Sequence, residues 1–187
     1  MPDAARTLPL AGFAPLAGPA VTLTAAPPSC RFILRARPAA IEAAAAPLGL
    51  RLPVVACRSA SAGTIAALWL GPDEWLLLAP EAEGPGLLAR LAAALDGLPH
   101  ALVEVSHRQG AMLLGGARAA ETLNAGCPLD FDPAAFPIGM CTRTVLGKAE
   151  VTLWRTGATA FRVEANRSFL PYVWRFLEEA SREFVAG

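Results

Sequence analysis

Residues 102–144 read LVEVSHRQGAMLLGGARAAETLNAGCPLDFDPAAFPIGMCTRT, and the structures that they predict organise the rest of the chain. An apolar strand over Leu102–Val105 and a second apolar run over Ala111–Leu114 flank the polar turn Ser106–Gly110. Good helix formers follow Gly115-Gly116, and Gly126 stands just beyond them, where glycine commonly ends a helix. The stretch therefore predicts two strands joined by a turn and followed by a short helix.

The segment that follows, Cys127–Met140, has neither helical nor strand periodicity but carries three prolines. Its apolar side chains predict an ordered loop held by its own packing, and long loops of this kind are often binding loops. Asp130 and Asp132 either cap backbone N–H groups in the loop or meet a partner's arginine. Phe131 and Phe136 are candidates for contact with a partner.

Two other segments share the order strand, turn, strand and helix, and each has a Leu-Trp pair in its first strand. Turn residues between apolar runs predict a hairpin, and apolar residues at helical spacing predict the helix after it. The first segment comprises Ile65–Leu70, Trp75–Ala79 and Pro85–Leu95, and the second comprises Ala149–Arg155, Phe161–Ala165 and Ser168–Phe184. These two similar hairpin-helix halves predict an α+β fold of antiparallel sheets with helices packed on one side.

The sequence also predicts the connections. Before the first hairpin we expect a strand over Arg31–Ala36 and then a helix that begins at Pro38 and ends at Ala46, stopped by Pro47 and Gly49. A short strand over Val54–Ala56 and a loop over Arg58–Gly63 are expected to follow. In the last helix, Ser168 is the expected N-cap. The apolar stripe predicted for that helix consists of Phe169, Val173, Phe176, Ala180 and Phe184.

Residues 1–29 differ from the rest of the chain in having six prolines and few charges. Proline at this density excludes helix interiors and favours extended backbone. The segment is also more apolar than a disordered tail, with Leu8, Phe13 and Leu16 among its large side chains. We therefore expect an extended arm over 1–29, lying on this chain or on a partner, and a single α+β domain over 30–187. Leu8, Phe13 and Leu16 are candidates for partner contact.

Charge and cysteine content narrow the class of protein. The formal net charge is +0, which predicts neither a nucleic-acid surface nor attraction to an anionic membrane. No apolar run approaches the length that spans a bilayer. The four cysteines show no metal-ligand spacing and, without a secretory signal, predict buried free thiols in a reducing cytoplasm.

Few side chains are arranged for chemistry. His107 follows Ser106, but no GxSxG motif and no orienting acid accompany this pair. His107 is therefore more simply a turn residue or, together with Arg108, a partner contact. Glu150 is an acid within an apolar strand, where it either faces solvent or has a buried functional role. The sequence predicts no catalytic residue and no metal site in this chain.

An ordered set of short motifs resembles the gamma subunit family of heterotetrameric sarcosine oxidase. The motifs are WLGPDEWLL at 69–77, VSHRQ at 105–109, NAGCPLD at 124–130, FP at 136–137, RT at 143–144, RSF at 167–169 and WRFL at 174–177. That family is in turn similar to the folate-dependent aminomethyltransferases of the glycine cleavage system, whose DVSH motif resembles Glu104–His107. The resemblance implies a truncated aminomethyltransferase-like fold, in which Glu150 is the candidate for a folate site.

The resemblance also implies a function. Enzymes of this kind oxidise sarcosine to glycine and give peroxide with formaldehyde or methylenetetrahydrofolate. The gamma subunit is expected to be non-catalytic, to hold no cofactor and to support assembly by packing on the alpha subunit, with the beta and delta subunits completing the complex. FAD, FMN, NAD, tetrahydrofolate and zinc are expected in those partner subunits. The alternatives are a stand-alone folate-binding one-carbon transfer protein and the gamma subunit of a related N-methyl amino acid dehydrogenase.

Overall fold

The computed structural model describes residues 8–185. Within them the chain forms two antiparallel sheets that face each other, with helices on the outer surface of each. The strands are β1 (Leu16–Ala17), β2 (Thr22–Ala25), β3 (Ser29–Ala36), β4 (Ser59–Ala62), β5 (Ile65–Gly71), β6 (Glu74–Pro80), β7 (His100–Glu104), β8 (Gln109–Gly115), β9 (Cys141–Leu146), β10 (Ala149–Gly157) and β11 (Ala160–Asn166). The helices are α1 (Pro38–Leu48), α2 (Gly84–Ala94), α3 (Ala119–Asn124), α4 (Leu170–Ala180) and α5 (Arg182–Val185). The predicted α+β class is confirmed.

The six-stranded sheet, ordered β1-β2-β8-β11-β10-β9, carries the larger core on its outer face. Successive side chains of a strand point to opposite faces, so alternate residues of these strands meet α3 and α4. Met112 and Leu114 of β8 and Leu153 of β10 are fully buried there beside Leu170 and Trp174 of α4. Each such side chain contributes roughly 1.5–3 kcal/mol through burial.

The five-stranded sheet, ordered β4-β5-β6-β3-β7, packs its outer face on α1 and α2. Phe32 and Trp75 are buried in this core, and the Trp75 indole N–H donates to the carbonyl of Pro53 at 2.7 Å. Helix α1 continues through Pro47, which was expected to stop it, and ends at Gly49. Gly49 has φ 67°, a left-handed conformation that glycine adopts without steric cost.

The two halves of the chain exchange a strand. The first half runs β2-β3-α1-β4-β5-β6-α2, and the second runs β7-β8-α3-β9-β10-β11-α4 in the same order. In each half the first strand pairs in the opposite sheet, because β2 is hydrogen-bonded to β8 and β7 is hydrogen-bonded to β3. Neither sheet is complete without the other half. The predicted internal similarity is therefore present, and the halves are interlocked.

Residues 8–29, the described part of the predicted arm, include β2, which is the strand that the first half contributes to the six-stranded sheet. Residues 22–25 pair with 112–115, and Val21 and Leu23 have no exposed surface. The Phe13 ring lies 5.6 Å from the Trp174 ring between centroids. Residues 8–29 thus comprise a turn over 9–12 followed by the strands β1 and β2, and they pack on this chain's own core. Strand β3 begins at Ser29, so strand pairing runs across the boundary predicted at residue 29. Residues 1–7 of the predicted arm lie outside the described residues.

Four local predictions are wrong. The strand expected over Val54–Ala56 is absent from the described structure, and the segment expected as a loop contains β4. Val54 and Val55 are exposed, while the small Ser and Ala side chains of β4 pair with β5. In the last helix, Phe169 occupies the N-cap position instead of Ser168. The buried stripe is also shifted from the predicted one, and consists of Leu170, Val173, Trp174 and Leu177.

Candidate functional site: the groove between the sheets

The facing surfaces of the sheets leave a groove of about 810 Å³, here called the inter-sheet groove. Residues of β3 and β6 line one side, residues of β9, β10 and β11 line the other, and the turn between β7 and β8 also contributes. Most apolar residues of these strands point to the helices, and the polar residues that alternate with them point between the sheets. A smaller apolar cluster, which includes Leu68, Leu76 and Cys141, is also buried between the sheets. The ionisable residues that line the groove are Arg35, Glu74, Arg108, Arg143, Glu150 and Glu164.

Glu164 of β11 is the centre of a buried ion-pair network. Arg31 Nε of β3 donates to Glu164 Oε2 at 2.7 Å, and Arg162 Nε donates to Glu164 Oε1 at 2.7 Å. The Arg31 and Glu164 side chains are 5% and 1% exposed. A buried charge without a partner costs several kcal/mol, so the pairing is what allows these groups to lie between the sheets.

Glu74, at the start of β6, forms a second ion-pair cluster within the groove. Arg35 Nε of β3 donates to Glu74 Oε2 at 3.1 Å, and the Arg143 guanidinium of β9 donates to Glu74 Oε1. Burial by itself raises the pKa of Glu74, but the hydrogen bonds and charges of Arg143 and Arg35 outweigh it and hold the pKa below its ordinary value of 4.5. Glu74 is therefore ionised at neutral pH and links the two sheets.

Ser106 and His107 are not arranged as a catalytic pair. The Ser106 hydroxyl accepts the backbone N–H of Arg31 at 2.9 Å and donates to Glu104 Oε1 at 2.8 Å. The hydroxyl thereby holds the end of β7 against β3, while the His107 side chain is exposed. The turn role expected for His107 agrees with this geometry, and partner contact by His107 and Arg108, which is also exposed, stays a prediction.

Glu150 and the two loop aspartates, Asp130 and Asp132, occupy different parts of the structure. Glu150 of β10 is exposed and lines the inter-sheet groove. In the long loop, Asp130 Oδ1 accepts the backbone N–H of Asp132, and Asp132 Oδ1 accepts the backbone N–H of Ala134, each at 2.8 Å. The capping alternative for these two aspartates is confirmed.

Phe131 and Phe136 do not face a partner, because both rings are buried in the core of this chain. Their centroids lie 5.3 Å apart, and the Phe131 centroid lies 5.6 Å from that of Phe161. The buried Arg155 guanidinium donates to the carbonyls of Phe131 and Phe136 at 3.0 and 2.7 Å. The prediction of an ordered loop held by its own side chains is confirmed, whereas the expected surface role of the two rings is wrong.

Other apolar residues are exposed instead. Val54 and Val55 are 70% and 64% exposed, and Ile138 in the long loop is 61% exposed. The two segments that carry them are linked where Arg58 and Met140 form an isolated antiparallel bridge and the backbone N–H of Ser59, the first residue of β4, donates to the carbonyl of Gly139 at 2.9 Å. Among the predicted contacts in the arm, Leu8 is 42% exposed, whereas Phe13 and Leu16 are half-buried.

Sequence reasoning missed the residues that organise the groove. Arg31 and Glu164 are separated by 133 positions, so no local pattern indicates their pairing. The sequence contains one weak signal for this position. Glu164 stands between the apolar residues Val163 and Ala165, and because successive side chains of a strand point to opposite faces, Glu164 lies on the face turned away from the helices.

No group of three or more His, Cys, Asp and Glu residues within residues 8–185 could hold a metal ion. Cys30, Cys127 and Cys141 are buried free thiols, as predicted, and Cys57 is half-buried. None of the helices described is long and apolar enough to cross a membrane.

The sequence and the fold are similar to those of known proteins. The family model of the sarcosine oxidase gamma subunit matches residues 34–183. The sarcosine oxidase gamma subunit of an Arthrobacter species is 39% identical over 146 residues, which cover 77% of this chain and 70% of that protein. The corresponding subunit of Corynebacterium sp. strain U-96 is 37% identical over 172 residues, which cover 90% of this chain and 82% of that protein.

Solved structures extend the comparison to the fold. A chain of the heterotetrameric sarcosine oxidase from Corynebacterium sp. U-96, solved with pyrrole 2-carboxylate, has a TM-score of 0.90 and 34% identity over 97% of both chains. The glycine cleavage aminomethyltransferase T of Bartonella henselae has a TM-score of 0.66 and 14% identity, covering 86% of this chain and 46% of that one. The second match shows the fold alone. The chain belongs to the sarcosine oxidase gamma subunit family.

Proposed function

We propose that this chain is a structural subunit of a heterotetrameric sarcosine oxidase in the cytoplasm. The observation that supports this most directly is the similarity to a chain of a heterotetrameric sarcosine oxidase over 97% of both lengths. In this proposal the chain packs on the alpha subunit and completes an assembly with the beta and delta subunits. FAD, FMN, NAD, tetrahydrofolate and zinc are held by the partners, and sarcosine is oxidised to glycine there.

The exposed apolar residues support an assembly role. Val54, Val55 and Ile138 are each more than half exposed and lie on two segments, one from each half of the chain, that are linked through Arg58 and Met140. Exposed apolar patches commonly mark protein interfaces. The polar groups of the groove support the same reading, because Glu74 and Glu164 are each already held by two arginines of this chain.

Gentle purification of the tagged chain from its native host tests the proposal. We expect a large yellow assembly that contains three different companion subunits, shows flavin absorbance and consumes oxygen with sarcosine. A small colourless species of this chain alone would contradict the subunit role. Activity with other N-methyl amino acids, in preference to sarcosine, would instead assign the chain to a related dehydrogenase.

A second function, folate binding by this chain alone, rests on Glu150. This residue lines a groove of about 810 Å³ in a fold shared with an aminomethyltransferase. Calorimetric titration of the isolated chain with tetrahydrofolate tests it, with Glu150→Gln as the variant that should lose binding. A flat titration of the wild-type chain would exclude this function and leave the structural role in place.

A further inference from the structure

We propose that the inter-sheet groove is a docking site for an extended acidic segment of a partner subunit, whose carboxylates are bound by Arg35 and Arg143. This inference rests on the proposed subunit role and adds the chemistry of one contact. The groove is formed by both halves of the chain, so it exists only in the folded subunit. The partner segment is defined by its chemistry, which is two or more Asp or Glu side chains on extended backbone.

The charge of the groove is the first observation in its favour. The whole chain has a formal net charge of +0, but its charges are not evenly placed. Three arginines (Arg35, Arg108 and Arg143) and three glutamates (Glu74, Glu150 and Glu164) line the groove. Glu164 is already neutralised by Arg31 and Arg162, which are not part of the lining, so the three arginines face only Glu74 and Glu150 and leave an excess of one positive charge. Complementary charge is a main source of specificity in protein association.

The position of the two arginines is the second observation. Arg35 belongs to β3 and Arg143 to β9, so they approach from different sheets and converge on Glu74. Their side chains remain 60% and 53% exposed. A guanidinium has five N–H donors, and each of these two uses only part of them on Glu74. The remaining donors are held in place for a carboxylate that enters from solvent, and arginine binds carboxylates through paired N–H groups.

The shape of the site indicates an extended segment. β9 is at the end of the six-stranded sheet, with β10 as its strand neighbour on one side. On the other side the backbone N–H of Cys141 donates to the carbonyl of Cys57 at 3.1 Å, so the edge offered to a partner consists of residues 142–146. An unpaired sheet edge accepts an added strand through backbone hydrogen bonds, while alternate side chains of the added strand give specificity. Val145 of β9 is 42% exposed and lines the groove, so this edge is accessible.

Glu150 would determine where the acidic side chains lie. It is opposite Val145 in the β9–β10 pairing, whereas Arg143 is opposite Thr152, two positions further along. An acidic side chain near Glu150 would be repelled, and one near Arg143 would be attracted. Removal of the Glu150 charge should therefore strengthen docking, which is opposite to the effect of removing the arginines.

The first test measures how tightly the full chain binds its partner subunits at several salt concentrations. We expect the double variant Arg35→Gln/Arg143→Gln to bind at least about 10-fold more weakly and to show a shallower salt dependence. Glu150→Gln should bind more tightly. Arg118→Gln is the matched control, because Arg118 is 52% exposed and pairs with a glutamate outside the groove. Circular dichroism and thermal melting establish that each variant is folded.

The second test identifies the segment that occupies the inter-sheet groove, in a protein that retains Arg35 and Arg143. A photoreactive amino acid, p-benzoylphenylalanine, replaces Val145 in the purified complex, and the cross-linked peptide is sequenced by mass spectrometry. We expect a peptide of a partner subunit with at least two acidic side chains beside the cross-link. A cross-link to an uncharged segment, or only within this chain, would overturn the proposal, and so would a folded double variant with unchanged affinity and salt dependence.

These outcomes separate the two proposals. If the wild-type chain joins the complex and the double variant joins equally well, the groove is not the acidic docking site and the subunit role stands. If the wild-type chain joins no partner subunit, both proposals are wrong.

Discussion

Arg31 on β3 and Glu164 on β11 join the two sheets through an ion pair of 2.7 Å in which both side chains are almost completely buried. The two residues belong to different halves of the chain. The outer faces of the sheets are occupied by their own helices, and the inner faces meet through this pair, the Glu74 cluster and a small apolar cluster that includes Leu68 and Cys141.

Removal of one member of the buried pair should be strongly destabilising. We expect Glu164→Leu to lower the free energy of unfolding by about 3–5 kcal/mol, because Arg31 and Arg162 would keep buried charges without a carboxylate. The double variant Arg31→Met/Glu164→Leu should lose less than the sum of the single losses. Urea unfolding in a double-mutant cycle measures the difference. Arg118→Gln is the control, because it breaks an exposed pair and should lower the free energy of unfolding by no more than about 1 kcal/mol. Strictly additive losses for Arg31→Met and Glu164→Leu would contradict the expected coupling.

Glu74 should make stability depend on pH in the acidic range. Its pKa is below the ordinary 4.5 in the folded chain, so the folded state holds its proton less tightly than the unfolded state does. The stabilisation is complete above about pH 4.5 and is lost as the pH falls through the folded pKa. Glu74→Gln should therefore lower stability at pH 7 and make progressively less difference on acidification. Urea midpoints of both proteins measured between pH 7 and pH 3 would show this convergence.

Strand β2 should contribute to the core of this chain. We expect Leu23→Ala to cost about 2–5 kcal/mol, because Leu23 has no exposed surface and its loss leaves a cavity beside β8. Leu8→Ala is a control in the same segment, since Leu8 is 42% exposed and should change stability by less than about 0.5 kcal/mol. Equal urea midpoints for the two variants would show that the segment does not pack as described.

The Gly115-Gly116 turn should not tolerate a side chain at its second position. Gly116 has φ +110°, and a Cβ atom there would lie 2.2 Å from the carbonyl oxygen of Ala20. We expect Gly116→Ala to cost about 3 kcal/mol or more, because both the backbone conformation and the contact with the chain before β2 are unfavourable. Gly12→Ala is the control, since nothing lies within 4 Å of the added atom. Thermal melting compares the two variants.

The thiols should differ in reactivity. Burial raises the pKa of Cys141 to about 12, so its thiol stays protonated in the folded chain at pH 8. The half-buried Cys57 is expected to react first with a thiol reagent, and the buried Cys30, Cys127 and Cys141 only after unfolding in urea. Titration of thiols before and after denaturation tests this. Rapid alkylation of Cys141 in the native chain would show that its surroundings open.

Local sequence patterns were sufficient for the hairpins, most helix positions and the family, because these depend on alternation, turn residues and motifs that lie close together in the chain. They failed at β4, where short Ser and Ala side chains form a strand through pairing with β5, while the β-branched Val54 and Val55 remain exposed. They also misplaced the buried stripe of α4, because tertiary packing selects which face of a helix is covered.

Only the tertiary structure brings β2 to β8, β7 to β3 and Arg31 to Glu164, since each of these contacts joins residues that are distant in sequence. The strand exchange has a physical reason: a strand at the open edge of one sheet satisfies backbone hydrogen bonds that its own half leaves unpaired. The burial of Phe131 and Phe136 follows from the same long-range packing, through the Arg155 side chain that donates to both carbonyls. Composition and periodicity therefore specified the elements of this chain, and their assembly into two interlocked halves specified the groove.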